Sequence, residues 1–280
     1  MKQTIQLLKQ IHYWIGSTGF VFLLSILVLL LSPLFLPYDP YEVNMGMKAQ
    51  PPSLEHWLGT DGLGRDIVSR ILVGGRVTLG TSFLVLAGTV VIGIPVGLIS
   101  GYVGGLMDRI FMRVADSFLA FPDFLIAIVL TGLLGPHIVN LMISIIAVKW
   151  IAYARIVRNT VRTESNKDYI AVAKLNGVGT IRMVYKHFLP HVVRHAVVLI
   201  PLDIGKVILI IASLSYIGLG VQPPEAEWGN MLNEGRQYFQ QSPSLMIIPG
   251  LSIMLTVAMA NMIGDRIQIR LDLSNRGGVN

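Results

Sequence analysis

Polar and apolar positions are distributed along this chain in long blocks rather than in short alternations. About six stretches run for some eighteen residues or more with few charges: Gly19 to Leu36, Val77 to Gly101, Ser117 to Leu134, Ile138 to Tyr153, Ala196 to Leu219, and Leu245 to Gly264. Since about 20 helical residues at a rise of 1.5 Å cross a hydrocarbon core, each stretch predicts a transmembrane helix. The expected class is therefore all-α, a polytopic membrane protein of about six transmembrane helices.

The intervals between these stretches carry the organisation. After the first come Pro37-Tyr38-Asp39-Pro40 and Pro51-Pro52, which disfavour helix and regular sheet and so predict a linker. It closes with HWLGTDGLGRDIVSRILVGGR, His56 to Arg76, the densest mixture of charge and glycine in the chain. Gly59, Gly62 and Gly64 suit tight turns, while Ile67, Ile71 and Leu72 beside Arg65, Arg70 and Arg76 predict a short amphipathic helix in the membrane interface. Asp61, Arg65 and Asp66 are expected to pair among themselves and hold this cap. The predicted divisions are 1–36 (N-terminus and a peripheral first helix), 37–76 (linker and amphipathic cap) and 77–280 (a five-helix core). Within the second stretch, Gly93, Gly97 and Gly101 leave one helix face nearly bare, as close helix packing requires.

Composition reinforces the membrane reading. Only 14% of the 280 residues are charged, against about 25% in soluble domains. The net charge of +6 is concentrated beside apolar spans rather than spread as a nucleic-acid footprint, so nucleic acid is not an expected partner. Between the fourth and fifth stretches lie Arg155, Arg158, Arg162, Lys167, Lys174, Arg182, Lys186 and Arg194, whereas Val221 to Gln241 carries Glu225, Glu227 and Glu234 against Arg236. The positive-inside rule places the first of these loops, both termini, and Lys2 and Lys9 in the cytoplasm, and the 37–76 linker outside.

Signs of catalysis are weak. There is no GxxxxGK[ST] phosphate loop, no cysteine, and no nucleophile with a spaced base, so the chain is not read as an enzyme and no cofactor of its own is expected. His187, His191 and His195 recur every four residues and could stack on one helix face, but Pro190 interrupts it and Lys186 and Arg194 oppose a cation, so no metal site is assigned. Lys149, Asp203 and Lys206 are ionisable residues at membrane depth and hence candidate path-lining groups, with an Asp203–Lys206 pair on one helix as the plainer alternative. Met254, Met259 and Met262 read as flexible core.

The segment from Thr163 to His195 predicts two short helices around a glycine turn. Ile170, Ala173, Leu175 and Val178 could share an apolar side, Gly177 and Gly179 break the helix, and a second helix closes at Leu189 and Pro190. Such a knob suits another protein's grip.

Here the residues resemble a known family, the permeases of bacterial ABC importers. Asp168, Tyr169, Ile170, Ala173, Gly177, Leu189 and Pro190 fall into the places of the EAA loop, with Val172 and Asn176 departing from it. Leu58, Gly59, Thr60, Asp61, Leu63, Gly64, Arg65, Asp66, Ser69, Arg70, Gly74 and Arg76 match the signature of the C-type subunits in the dipeptide, oligopeptide and nickel branch. MRVADSFLAFP at Met112–Pro122, WIAYARIVR at Trp150–Arg158, SYIGLGVQPPEAEWGNML at Ser215–Leu232, and Gly264-Asp265 extend the match over nearly the whole chain.

The resemblance implies a type I ABC importer permease fold in a bacterial cytoplasmic (inner) membrane. It implies a homologous second permease subunit, cytoplasmic ATPase subunits that hold ATP and Mg, and an extracytoplasmic solute-binding protein. The loop at about 163–190 would couple to the ATPase, with Asp168, Tyr169, Ala173, Gly177, Leu189 and Pro190 forming it, and the 56–76 block would lie where the binding protein docks. Leu202–Gly205, Ala226–Tyr238 and Trp150–Arg158 look more like nickel-type than peptide-type subunits, so nickel or a nickel chelate is the expected solute and di- or oligopeptides the alternative. A secondary transporter driven by an ion gradient, relaying through Asp203 and Lys149, is the competing class, although the inverted repeats expected of many such carriers are not visible. A membrane scaffold without flux is a third.

Overall fold

A computed structural model describes residues 27, 29, 31 and 34–277. Most of the first predicted span, and the N-terminus expected in the cytoplasm, lie outside them. The order of helices is α1 (Ile67–Val103), α2 (Gly105–Leu119), α3 (Asp123–Leu134), α4 (Ile138–Ser165), α5 (Asp168–Leu175), α6 (Thr180–Met183), α7 (Leu189–Tyr216), α8 (Trp228–Gly235) and α9 (Ser244–Gly277). Among the described residues there is no β-strand, only an isolated bridge between Thr60 and Asp66.

Helix α1 begins at Ile67 because Asp66 caps it: the Ser69 N–H donates to Asp66 Oδ2 at 2.8 Å. The predicted short interfacial helix is thereby corrected. The residues around Ile67, Ile71 and Arg76 form the opening turns of a continuous 37-residue helix, because nothing between them and the second span breaks the ladder. At 1.5 Å per residue that helix is about 55 Å long, well beyond the hydrocarbon thickness, so it can span and still project.

Among the described residues, four helices or helix segments are long and apolar enough to cross a membrane: Ile67–Val103, Ile138–Ser165, Leu199–Tyr216 and Ser244–Ile269. The third predicted span is instead two helices, α2 and α3, bent by 90° at the break before Pro122. The glycine face of α1 shows how to count them. A Cβ on Gly93 would lie 2.9 Å from the Trp150 carbonyl oxygen, one on Gly97 2.6 Å from that of Ala154, and one on Gly101 2.9 Å from that of Arg158. Both numbers rise together, so α1 and α4 run parallel at backbone contact. Parallel spans need an odd number of crossings between them, and the α2–α3 pair supplies one. A ladder of polar contacts runs the opposite way, as an antiparallel crossing requires: Arg158 and Arg162 on Asp108, Arg155 on Asp116, Lys149 on Asp123, and Asn140 Nδ2 on the Leu134 carbonyl.

The chain resolves into two compact units that do not follow its linear order. One takes the chain up to Ser82, Pro136–Ile138 and the chain from Pro201 onward; the other takes Phe83–Gly135 and Val139–Ile200. The core of the first gathers Ile208 and Ala212 of α7, Trp228 and Met231 of α8, and Ile253 and Val257 of α9. The core of the second gathers Val157, Val161, Ile170, Ala173, Met183, Phe188 and Val192. Hydroxyls inside the helices are satisfied locally, as lipid demands: Ser82, Thr89, Thr131 and Ser144 each donate to the carbonyl four residues back.

Candidate functional site

Two regions hold the candidate functional residues: the cap around 37–70 and the knob at 164–191. In the cap, Gly59 and Gly64 adopt φ of 83° and 77°, a left-handed backbone that glycine enters without strain. Gly64 is also confined, since a Cβ there would lie 1.7 Å from the Asn44 carbonyl oxygen. Thr60 knits the linker by accepting from Gln50 N at 3.0 Å and donating to the Met47 carbonyl.

These turns aim charges inward. Arg65 and Arg70 are 2% and 0% exposed. Arg65 Nε donates to Asp61 Oδ2 at 2.7 Å, and Arg65 and Arg70 both reach Glu234 Oε2, at 2.9 and 2.7 Å. Asp61 also accepts from the Leu63 and Arg65 backbone N–H groups. Two buried guanidinium groups are thus neutralised by two carboxylates that keep some contact with water, Asp61 at 12% and Glu234 at 22% side-chain exposure, and pairing of this kind is the condition under which buried charge is tolerated. Arg70 Nη1 further donates to the carbonyls of Pro40 and Pro224, both at 3.3 Å. The expected internal pairing holds for Asp61 with Arg65, while Asp66 turns to His56 Nδ1 at 3.0 Å and to the start of α1. Beside the quartet is a cavity of about 240 Å³ whose lining includes Leu63, Ile67, Met231 and Tyr238.

Glu227, next to α8, is fully buried and accepts from Gly229 N, Asn230 N and Thr78 Oγ1 at 2.9, 3.0 and 2.9 Å. Burial pushes its carboxyl up from the ordinary value, against those donors, which favour the ionised form. Sequence reasoning treated Glu227 and Glu234 only as loop charge. A carboxylate immediately before Trp-Gly-Asn, a helix-capping position, was the signal available for the first; for the second there was none.

In the knob, Asp168 opens α5, its charge complementing the helix N-terminus. The helix ends in a Schellman motif: Gly177, at φ 73°, donates to the Lys174 carbonyl at 3.0 Å, and Val178 to that of Ala173 at 3.1 Å. Ile170 and Ala173 face the core, as expected, with Val178 packed against it. Leu175 does not share that side; it is 88% exposed, because at about 100° per residue it falls on the face of α5 opposite Ile170 and Ala173. The second helix also differs from expectation. Leu189 and Pro190 open α7 rather than close a helix, and they follow a π turn at Val184–Phe188 in which Leu189 N reaches back to Val184 O. Val172, Ile181 and Tyr185 join Leu175 as exposed apolar residues.

Tyr169 donates from its hydroxyl to Glu164 Oε2 at 2.7 Å. Burial, and then this bond, pushes the phenol up to about 12. Of the three histidines, two flank the Tyr169–Glu164 pair: the His187 ring lies 5.9 Å from that of Tyr169, and His191 Nδ1 lies 3.7 Å from Glu164. Among the described residues no three His, Asp or Glu side chains are placed to hold a metal ion. Lys149 stands 3.4 Å from Asp123, and Lys206 3.1 Å from Asp203.

The family described as binding-protein-dependent transport system inner membrane component matches residues 93–276. The chain belongs to that family. The permease is 38% identical over 246 residues to the nickel transport system permease protein NikC of Escherichia coli K12, covering 88% of this chain and 89% of that one. It is 39% identical over 259 residues to the dipeptide transport system permease protein DppC of Alkalihalophilus pseudofirmus, covering 92% and 85%. It is 36% identical over 261 residues to DppC of Haemophilus influenzae, covering 91% and 88%. The protein is thus a permease subunit of an ABC importer in the nickel and dipeptide branch, an inner-membrane component that works with a binding protein and an ATPase.

Proposed function

We propose that this permease provides half of a path for nickel or a nickel chelate, opposite a homologous second permease subunit, and that the 163–190 loop is its coupling element. The observation that carries the coupling reading is the knob: α5 is seated on a buried core through Ile170 and Ala173 while Val172, Leu175, Ile181 and Tyr185 point away from it. ATPase subunits holding ATP and Mg would grip that surface, and their closure would switch the permease between inward-open and outward-open states. No bond is made or broken in this chain.

In this reading the knob is cytoplasmic and the 37–66 linker extracytoplasmic. The excess of basic residues around the knob supports the cytoplasm for the first. The cap then faces the solute-binding protein, with Gly59, Thr60, Asp61, Gly64, Arg65, Asp66 and Arg70 as its framework. Lys206 is the path-lining candidate with the most open surroundings, 64% exposed in its side chain; Asp203 and Lys149, at 17% and 15%, have the more enclosed ones.

Nickel is favoured by Leu202–Gly205, Ala226–Tyr238 and Trp150–Arg158, which resemble nickel-type subunits. Peptide transport is the second reading, favoured by the 39% identity to a dipeptide permease. Uptake of radioactive nickel, with and without a dipeptide mixture, in cells carrying or lacking this gene beside its native neighbours, separates the two. Gene-dependent nickel entry indifferent to peptides is the expected result; gene-dependent dipeptide entry without nickel overturns the solute and leaves the coupling loop standing.

A further inference from the structure

One carboxylate outside the family signature holds the knob together. Glu164 closes the last turns of α4 and is 7% exposed, next to the fully buried Val161. Its Oε1 receives Lys167 Nζ at 2.7 Å and lies 3.7 Å from His191 Nδ1; its Oε2 receives the Tyr169 hydroxyl at 2.7 Å. Its backbone carbonyl accepts from Lys167 N at 3.1 Å. A single side chain therefore ties the end of one span to the entry of α5, with His191 in the first turn of α7 lying 3.7 Å away.

The surrounding contacts explain why that junction matters. Ile170 and Ala173 hold α5 against Val157, Val161, Phe188 and Val192 by apolar packing, which resists removal of the helix but is non-directional. Hydrogen bonds are directional and fix rotation. Two hydrogen bonds from the start of α5 to one carboxylate on α4, from Lys167 and Tyr169, therefore define the azimuth of α5 as well as its depth.

We infer that Glu164 is a positioning residue for coupling: it makes α5 move with α4 and α7 as one body, so that force applied at the exposed face of the knob reaches the spans rather than rolling the helix. This rests on the reading of 163–190 as the coupling loop.

The test uses the complete importer in proteoliposomes, with radioactive nickel and a labelled dipeptide run in parallel. The chain has no cysteine, so a Leu175→Cys substitution gives one labelling site on this subunit, which serves both a nitroxide label and a cross-link to the ATPase. Glu164→Ala is expected to lower solute imported per ATP hydrolysed by roughly fivefold, within the range for substitutions along a coupling network, and to raise nitroxide mobility. Glu164→Gln, which keeps an acceptor for the Tyr169 hydroxyl, should recover part of both. Unchanged ratio and mobility in Glu164→Ala, with the cross-link intact, overturn the inference. If Glu164→Ala does not assemble, Tyr169→Phe decides: it removes one hydroxyl, and it must move ratio and mobility in the same direction or the inference fails. Absence of the cross-link in the unsubstituted background would sink the coupling-loop reading itself, and the positioning role with it.

Discussion

The cap and the knob look alike as strings, each a glycine-punctuated run of charge between apolar spans, yet they are built on opposite plans. The cap turns its charges inward: Arg65, Arg70, Asp61 and Glu234 form an ionic lattice around two buried guanidinium groups, stitching the linker to the segment around α8. The knob buries its apolar residues and presents others, with Leu175 and Ile181 at 88% and 86% exposure. A region that must hold its shape spends its specific contacts on itself. A region that must be gripped keeps part of its apolar surface free.

The largest effect should follow from breaking the lattice. Arg70→Ala leaves Glu234 and Asp61 short of a buried partner, a change of about 3–5 kcal/mol in comparable buried pairs. Loss of assembled permease, or a strongly lowered unfolding temperature in detergent, is expected; near-normal stability would show the lattice to be hydrated and slack.

The glycines sharpen the contrast next. Gly64 and Gly177 have nearly the same φ, 77° and 73°, so alanine costs each about 1–2 kcal/mol in backbone conformation. Only Gly64 also meets an obstacle, the Asn44 carbonyl, whereas nothing lies within 4 Å of a Cβ on Gly177. Gly64→Ala should therefore destabilise clearly more than Gly177→Ala by thermal denaturation. A bulky residue at Gly177 should still insert into the membrane yet uncouple ATP hydrolysis from uptake; normal uptake would count against the coupling role.

Glu227 gives a smaller, pH-dependent effect. Its folded pKa is raised, so its contribution is fully present below the unfolded value of about 4.3 and is lost as pH rises through the folded value. Unfolding temperature in the wild type should fall across that window, and Glu227→Gln should flatten the fall while keeping an acceptor for the α8 N–H groups. Parallel curves for the two proteins would mean that the donors hold Glu227 ionised throughout.

The smallest change in stability is expected at the free face. Leu175→Ser should alter the unfolding temperature little, since surface substitutions usually stay within about 0.5 kcal/mol, while weakening ATPase binding in a pull-down. Unweakened binding would move the grip elsewhere on the knob.

Four of the spans, the close-packing glycine face of α1 and the Ile170–Ala173 register of the knob were legible in the sequence. Hydropathy runs, a small residue every fourth position, and the Ile170, Ala173, Gly177 spacing are local signals, each set by the period of a helix. The bend before Pro122 was not legible, because α2 and α3 together have the length and composition of one span. Nor was the continuity of α1, whose opening turns carry the arginines of an interfacial helix while their partners lie elsewhere. Leu175 was assigned to the wrong side because its spacing, five residues from Ile170 and two from Ala173, does not return to the same helix face.

The sequence by itself thus determined the class, the spans and the family, since lipid imposes one rule on every segment: satisfy the backbone locally and turn apolar side chains outward. Only the tertiary structure decided which charges meet. Arg70 and Glu234 are 164 residues apart, and Arg158 and Asp108 are 50. Ion pairing depends on distance in space and on burial, which no local pattern encodes.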